Sequence, residues 1–148
     1  MRPSKIKNYM DIARTVAMRS HDAETKVGSI LVHNKSGSIL STGFNGFIRG
    51  ADDSSLPTTR PDKYNFITHS EANLIYNCAR HGISMDDCMV VCTMSPCKQC
   101  MRALFSCGIT RVIAENLYKD FNDIMEMTDL KVEVTKDDNG FNILTYKV

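Results

Sequence analysis

Residues 88–115, CMVVCTMSPCKQCMRALFSCGITRVIAE, contain the pattern that decides the fold. Residues 88–93 are apolar and continuous, which is typical of a central strand buried on both faces. A helix is predicted from Cys97 to Gly108, and a second strand over residues 110–115. Strand, helix and strand in this order predict a βαβ unit, with helix and sheet packed on each other.

Further elements are predicted on both sides of this unit. Apolar residues recur at helical spacing between Ile6 and Ala17 and predict an amphipathic helix. The remaining predicted elements are strands over 27–33 and 38–42 with a turn at 34–37, helices over 69–80 and 121–128, and strands over 131–135 and 141–147. Residues 51–65 are polar, contain two prolines and predict a long surface loop. Helices alternating with strands imply a mixed sheet covered on both faces.

Two short patterns at predicted helix starts indicate a metal site. The first is His69-Ser70-Glu71, and the second is Pro96-Cys97-Lys98-Gln99-Cys100. Imidazole and thiolate are ligands that zinc prefers, and a structural zinc normally takes four protein ligands. His69, Cys97 and Cys100 supply three, which leaves one position for water. The sequence therefore predicts a catalytic zinc site.

The helical positions of these residues suit that chemistry. Cys97 and Cys100 are three positions apart and share a helix face, and Pro96 suits a first helical position. The positive end of a helix lowers the pKa of a thiol and so favours the thiolate that a metal needs. Glu71 follows His69 too closely to be a ligand, but its carboxylate can reach the water. Glu71 is therefore the candidate proton shuttle.

Each pattern also has a simpler explanation. The C-x-x-C pair is compatible with a redox pair, and Thr68 with Glu71 forms a potential capping box. A redox pair leaves His69 without a role, and a capping box needs no cysteines downstream. One zinc site accounts for both patterns, and Glu71 can cap and catalyse at once.

Length, composition and charge indicate one domain that acts on a small substrate. The chain has 148 residues, of which 43% are hydrophobic, enough for one sizeable core. Its formal net charge of +1 gives no overall electrostatic attraction to a polyanion, so no nucleic acid polymer is expected as a partner. The first twenty residues lack the apolar stretch of a secretory signal, and no apolar run approaches the length of a membrane span. We expect reduced cysteines, a cytoplasmic location and no membrane partner.

The pattern H-x-E followed by P-C-x-x-C is the signature of the zinc-dependent nucleobase deaminases. The predicted element order also resembles the cytidine deaminase family over nearly the entire chain. This resemblance implies an α/β fold, a three-layer α/β/α sandwich around a mixed five-stranded sheet, cytidine deaminase-like. It further implies a single zinc-dependent deaminase domain over residues 1–148. One zinc per chain is expected, because the first hairpin lacks the cysteines with which some relatives bind a second zinc.

Within that superfamily the sequence is similar to the deoxycytidylate (dCMP) deaminases. The resemblance is carried by Ser20-His21-Asp22, Lys26-Val27-Gly28, Gly43-Phe44-Asn45-Gly46, Arg49-Gly50 and residues 93–100. It implies hydrolytic deamination of dCMP to dUMP with release of ammonia. It also implies a contact between the Asn45 side chain and the sugar, although an asparagine beside a glycine is also typical of a left-handed turn.

The 5′-phosphate of dCMP needs hydrogen-bond donors, for which the sequence offers three candidates. Lys26 comes just before a predicted strand, and Arg19 and Tyr118 are further candidates. A lone basic residue is also compatible with a solvated surface charge, so the phosphate site stays open at this point.

The same resemblance implies regulation. Deoxycytidylate deaminases are commonly homohexamers that dCTP activates and dTTP inhibits, with Mg²⁺ on the triphosphate. The candidate effector residues are Gly43, Phe44, Asn45, Gly46 and Arg49. Phe44 stands where the family usually has tyrosine, and Ser70 where it usually has alanine. The hydroxyl missing at Phe44 affects the expected effector site and leaves the expected chemistry unchanged.

Other functions are compatible with parts of the pattern. One alternative is a deaminase of another small base or nucleoside, such as a pterin, guanine or a riboflavin precursor, which dependence on phosphate would distinguish. Another is a polynucleotide cytidine or adenosine deaminase, against which the near-neutral charge argues. A zinc-stabilised scaffold without activity is the third, and the presence of Glu71 argues against it.

Overall fold

The computed structural model describes residues 4–119, 121 and 131–147. Its elements are α1 (Lys5–Ala17), β1 (Gly28–His33), β2 (Ile39–Phe44), a 3₁₀ turn (Asp62–Asn65), α2 (Ser70–His81), β3 (Cys88–Met94), α3 (Lys98–Ser106), β4 (Arg111–Asn116), β5 (Val132–Lys136) and β6 (Asn142–Tyr146). The helix predicted over residues 121–128 lies, beyond Phe121, outside the described residues. The other predicted helices and strands are present, with ends that differ by at most two residues. Among the described helices, none is both long and apolar enough to cross a membrane.

The strands form one mixed sheet in the order β2-β1-β3-β4-β6-β5. Strands β3 and β4 are parallel, as the βαβ prediction requires, and the other neighbouring pairs are antiparallel. All six predicted strands lie in this sheet, so the five-stranded sheet implied by the family resemblance is corrected to six strands. The reason is that β5 and β6 join the sheet together as a hairpin: β6 pairs with β4, and β5 pairs with the free side of β6.

Helices cover both faces of the sheet, so the predicted three-layer α/β/α architecture is confirmed. Side chains alternate between the two faces of a strand. Ile30 and Val91 belong to the buried cluster that includes residues of α1. Leu31 and Val90 belong to the other cluster, which includes residues of α2 and α3. Burial on both faces explains why β3 is continuously apolar in sequence.

The start of α2 is held tightly against the edge of the sheet. A Cβ atom at Gly43 would overlap the backbone of Ser70 and Leu74, so only glycine allows β2 and α2 to approach this closely. The Ser70 hydroxyl donates to the Gly43 carbonyl over 3.0 Å and lies 2.8 Å from the Ser29 hydroxyl. These contacts fix the first turn of α2, and therefore the residues around His69, relative to β1 and β2.

Candidate active site

His69 and Glu71 lie at the N-terminus of α2. The chain enters the helix through a two-residue bridge, in which Gly46 and Thr68 exchange backbone hydrogen bonds of 3.0 and 2.7 Å. His69 is the N-cap residue, and no side chain caps this helix. The capping box considered for Thr68 and Glu71 is therefore not formed, and the Glu71 side chain is left for another role.

Cys97 and Cys100 lie at the N-terminus of α3, directly after the C-terminal end of β3. Cys97 is the N-cap residue, and its sulfur accepts from the Cys100 amide over 3.5 Å. Pro96 therefore precedes the N-cap residue, and its predicted place at a first helical position is wrong. The cap geometry directs both sulfur atoms toward the start of α2, where they meet His69.

The three predicted ligands form a compact cluster. The His69 Nδ1 atom lies 3.5 Å from the Cys97 sulfur and 3.6 Å from the Cys100 sulfur, and all three ligand atoms lie within 4.8 Å of one another. Zinc bonds of the usual lengths to nitrogen and sulfur, at a tetrahedral angle, separate the two ligand atoms by about 3.6 Å. The cluster therefore fits tetrahedral zinc with one position left over for a fourth ligand.

The charges within the cluster favour a thiolate. A hydrogen bond from the Cys100 thiol, together with one from His69, holds the pKa of Cys97 well below its usual value, although burial opposes this shift. The same hydrogen bond, together with burial, raises the pKa of Cys100. The hydrogen bond to Cys97 outweighs burial and raises the pKa of His69. The protein thus provides a thiolate at Cys97, the form in which cysteine binds metals.

Glu71 lies beside this cluster and is 4% exposed. Burial raises the pKa of its carboxyl group to about 7, with smaller opposing effects from its own backbone amide and from His69. A carboxyl group that ionises near neutral pH can both accept and return a proton under physiological conditions. This environment is compatible with the proton-transfer role predicted for Glu71.

Several predicted site residues line one cavity. His69, Glu71 and Cys97 share this cavity with the predicted substrate residues Asn45 and Tyr118. The Tyr118 backbone is fixed there by a hydrogen bond of 2.6 Å from its amide to the Ser95 hydroxyl. The cavity therefore connects the metal-binding cluster to the residues expected to contact substrate.

The structure does not bring Lys26 or Arg19 into that cavity. The Lys26 ammonium donates to the Ser20 carbonyl and faces a separate cavity. The Arg19 guanidinium lies 5.8 Å from the centre of the Phe44 ring. Two of the three candidate phosphate contacts are thus placed elsewhere, because the residues around 19–26 turn these side chains away from the cavity.

The Asn45 side chain is almost fully used within the protein. Its Oδ1 atom accepts from the Val27 amide over 2.8 Å, and its Nδ2 atom donates to the Thr25 carbonyl over 2.8 Å and to Asp22 over 3.3 Å. An amide nitrogen has two hydrogens, so only Oδ1 retains bonding capacity. A sugar hydroxyl can therefore contact this side chain only by donating to Oδ1.

The other predicted effector residues are close to Asn45 in sequence. Gly43 meets the α2 backbone, the Phe44 ring lies against Arg19, and Gly46 forms the bridge to Thr68. Arg49 donates to the Asn77 side chain over 2.5 Å. The glycines at 43 and 46 thus have structural roles of their own.

Sequence reasoning missed a charged group of residues at the cavity wall. Lys63 is 3% exposed, and its ammonium lies 3.0 and 2.8 Å from the two carboxylate oxygens of Asp22. Arg60 and Tyr64 line the same cavity. No local pattern could have identified this group, because Lys63 lies in a polar stretch predicted as surface loop and its partner is 41 residues away.

With this geometry established, comparisons with known proteins define the family. The family model for the cytidine and deoxycytidylate deaminase zinc-binding region matches residues 3–116. The chain belongs to this deaminase family. A crystal structure of dCMP deaminase from the cyanophage S-TIM5 in apo form resembles this chain with a TM-score of 0.68 and 30% identity, over 85% of this chain and 94% of that one. The same cyanophage protein has been crystallised in complex with dCMP and dUMP.

Curated members of the family share similar identity over a shorter share of their length. A probable deoxycytidylate deaminase of Caenorhabditis elegans is 32% identical over 73% of this chain. Human deoxycytidylate deaminase is 31% identical over 71% of it. The chain matches 55% and 61% of the lengths of these two relatives. A cytidine deaminase from Burkholderia pseudomallei, 15% identical with a TM-score of 0.54, shares the fold, which confirms the predicted cytidine deaminase-like class.

Proposed function

We propose that this deaminase is a single zinc-dependent domain that hydrolyses dCMP to dUMP and ammonia. The observation that carries the proposal is one cavity that holds His69, Cys97 and Glu71, with Cys100 completing the metal-binding cluster. The similarity to a cyanophage dCMP deaminase over most of both chains supports dCMP as the substrate. The intact cluster and the buried carboxyl group support catalysis over a purely structural role.

The first part of the mechanism is metal binding. His69 Nδ1 and the sulfur atoms of Cys97 and Cys100 would hold one zinc ion per chain, as their mutual distances allow. When bound there, zinc would act as a Lewis acid that lowers the pKa of a coordinated water to about 7.

Glu71 supplies the proton transfers. The attacking water gives up a proton to the Glu71 carboxylate as its oxygen forms a bond to C4 of the cytosine ring. Glu71 gives this proton to N3, then takes the remaining proton from the oxygen now bonded to C4 and passes it to the amine, so that the C4–N bond breaks, the C4 carbonyl forms and ammonia leaves. Water and dCMP are consumed, dUMP and ammonia are formed, and Glu71 returns to its starting state. Its near-complete burial keeps these protons from exchanging with bulk solvent.

Asn45 supports the position of the sugar in this proposal. The free lone pair of its Oδ1 atom can accept a hydrogen bond from a sugar hydroxyl, since its amide hydrogens are already bound to Thr25 and Asp22. Tyr118 lines the same cavity and is a further candidate contact.

The proposal extends to regulation and assembly. We expect a cytoplasmic homohexamer that Mg²⁺-bound dCTP activates and dTTP inhibits, with no nucleic acid polymer or membrane as a partner. The support for effector coupling is that Phe44 and Asn45 are adjacent, with Arg19 over the Phe44 ring and Asn45 in the cavity. A ligand that displaces the Phe44 ring should therefore also displace Asn45 in the cavity.

An assay of ammonia release tests the activity. The zinc-loaded protein is given dCMP, deoxycytidine, dCTP and adenosine in parallel, and kcat/KM is compared. We expect dCMP to be the preferred substrate and dUMP to form in step with ammonia. Preference for adenosine, or no ammonia from dCMP, would contradict the proposed substrate, and a panel of guanine and pterin substrates would then identify the alternative.

A further inference from the structure

Two cationic side chains line the cavity, and one of them is already fully occupied. The Lys63 ammonium contacts both carboxylate oxygens of Asp22 and lies 3.4 Å from Glu24. An ammonium group has three hydrogens, so these contacts account for all of its donors. Lys63 is also 3% exposed. It therefore stabilises the cavity wall and has no donor to offer a ligand.

Arg60, the second cation, retains free donors. Its Nε atom donates to the Tyr64 hydroxyl over 2.7 Å, one terminal nitrogen donates to the Thr25 hydroxyl over 3.1 Å, and the other lies 3.2 Å from Glu24. A guanidinium group has five donors. One hydrogen on each terminal nitrogen is therefore unused among the described residues, and two such donors suit a bidentate contact to a phosphate group.

Tyr64 extends this set of donors. Because its hydroxyl oxygen accepts from Arg60, its own hydrogen is available for another acceptor. Glu24 neutralises part of the Arg60 charge, but it contacts only one terminal nitrogen. The guanidinium thus keeps an edge that no carboxylate among the described residues occupies.

The backbone around Arg60 is held in place. The Arg60 amide donates to Glu24 over 2.5 Å, and the Ala23 amide donates to the Thr58 carbonyl over 3.2 Å. The Lys63 amide donates to the Thr59 carbonyl over 3.0 Å, next to the buried pair of Lys63 and Asp22. The Arg60 side chain is therefore presented from a fixed segment, which lowers the entropic cost of binding a ligand.

We propose that Arg60 and the Tyr64 hydroxyl bind the 5′-phosphate of the substrate and so select nucleotides over nucleosides. This inference rests on the proposed function and assigns its phosphate site to residues other than Lys26 and Arg19. Those two side chains are directed to the Ser20 carbonyl and the Phe44 ring, outside the cavity that holds Glu71.

The test compares substrates that differ only in the phosphate. The kcat/KM values of zinc-loaded wild type and Arg60→Ala are measured with dCMP and with deoxycytidine. Loss of charge-assisted hydrogen bonds should lower kcat/KM for dCMP by about 10- to 100-fold and change the value for deoxycytidine by less than about threefold. Arg60→Lys keeps the charge without the planar donor pair and should recover part of the loss. Tyr64→Phe should reduce only the value for dCMP.

A binding experiment gives a readout that needs no turnover. Calorimetric titration with dUMP and deoxyuridine should show that Arg60→Ala weakens dUMP binding by the same factor and leaves deoxyuridine unaffected. Arg80→Ala, which removes an exposed charge near the far end of α2, is the matched control and should behave as wild type. Zinc content and unfolding midpoints of each variant establish that the fold is retained.

The outcomes separate this inference from the proposed function. Three results would overturn the assignment and leave dCMP deamination intact. In Arg60→Ala, kcat/KM could fall equally for dCMP and deoxycytidine, or it could stay unchanged for both. Alternatively, Lys26→Ala could be the variant that loses kcat/KM for dCMP alone. If wild type binds dUMP more tightly than deoxyuridine but releases no ammonia from dCMP, the proposed function fails, and the titration of Arg60→Ala still decides the phosphate site.

Discussion

The position of Glu71 suits the proton-transfer role proposed for it. It lies in the first turn of α2, beside His69, and burial raises the pKa of its carboxyl group to about 7. We expect Glu71→Gln to keep its zinc and its unfolding midpoint, because the amide has the same shape. Formation of dUMP should fall by about 100-fold or more, since an amide cannot accept and return a proton. Turnover of dCMP within about tenfold of wild type would show that another group moves the protons.

The metal-binding cluster makes a separate prediction at this scale. Cys97→Ala and Cys100→Ala each leave two protein ligands, which hold a catalytic zinc poorly. Both variants should lose zinc and activity together, measured by metal analysis of the purified protein and by release of ammonia. Cys107→Ala is the matched control, because that thiol lies at the other end of α3 and should be dispensable. Stoichiometric zinc in either ligand variant would mean that the ligand set is wrong.

The site residues that could be predicted from the sequence are those that lie close to one another along the chain. His69 and Glu71 lie within one helical turn, as do Cys97 and Cys100, so their spacing alone carries the chemistry. The orientation of Lys26 depends instead on the Ser20 carbonyl, and the role of Lys63 depends on Asp22, a partner far along the chain. Spacing carries no information about such contacts, which is why the basic residues of the cavity were not predicted.

At the scale of elements, the predicted strands and helices of the described residues match the structure closely. Hydrophobic period and turn residues at element ends are local signals, and they locate the boundaries. The five-stranded sheet implied by the family resemblance is one strand short, because β6 pairs with β4 and β5 joins only through β6, and such tertiary contacts are not local signals. The segment predicted as a surface loop over 51–65 contains a 3₁₀ turn whose Lys63 is buried.

The buried ion pair that anchors this turn makes a prediction about stability. The pKa of Asp22 is lowered: burial opposes ionisation, but hydrogen bonds from Lys63 and from the Thr25 and Glu24 amides outweigh it. Removing one partner of a buried ion pair typically costs about 3–5 kcal/mol. Asp22→Asn should therefore reduce the free energy of unfolding by about that amount at pH 7, as measured by urea denaturation.

The dependence on pH follows from the sign of the shift. Because the pKa of Asp22 is lower in the folded state, its ionisation stabilises the fold fully above the usual value of 3.8 and progressively less as the pH falls below it. The difference between wild type and Asp22→Asn should shrink over that range. Asp53→Asn, which breaks an exposed contact to His21, should cost less than about 1 kcal/mol throughout. A difference for Asp22→Asn that is constant down to pH 3 would contradict the assigned role.

At the scale of the whole molecule, the site forms where separate elements end together. The C-terminal end of β3 leads into α3, and the bridge between Gly46 and Thr68 places the start of α2 beside the end of β2. The N-termini of α2 and α3 thus meet at the C-terminal ends of β2 and β3, and each helix start contributes residues to the cluster. The fold therefore assembles one metal site from two segments that are far apart in sequence.

The same arrangement places the predicted effector loop next to the catalytic cavity. Asn45 lines the cavity, while the neighbouring Phe44 ring lies 5.8 Å from the Arg19 guanidinium on its other side. A ligand that moves Phe44 should therefore also shift Asn45, because the two residues are joined by one peptide bond. Coupling between two such sites is typically about 1–3 kcal/mol, which corresponds to a change of about 5- to 150-fold in apparent affinity.

Saturation curves for dCMP test this coupling. They are measured without effector, with dCTP and with dTTP, each in the presence of Mg²⁺, while light scattering gives the size of the assembly. We expect a hexamer for which dCTP lowers and dTTP raises the concentration of dCMP at half saturation. Phe44→Leu removes the ring that Arg19 contacts and should bring the three curves closer together. Superimposed hyperbolic curves from a wild-type monomer would contradict the proposed regulation. Phe44 would then be a packing residue, because dCTP and dTTP would have no effect on the binding of dCMP near Asn45.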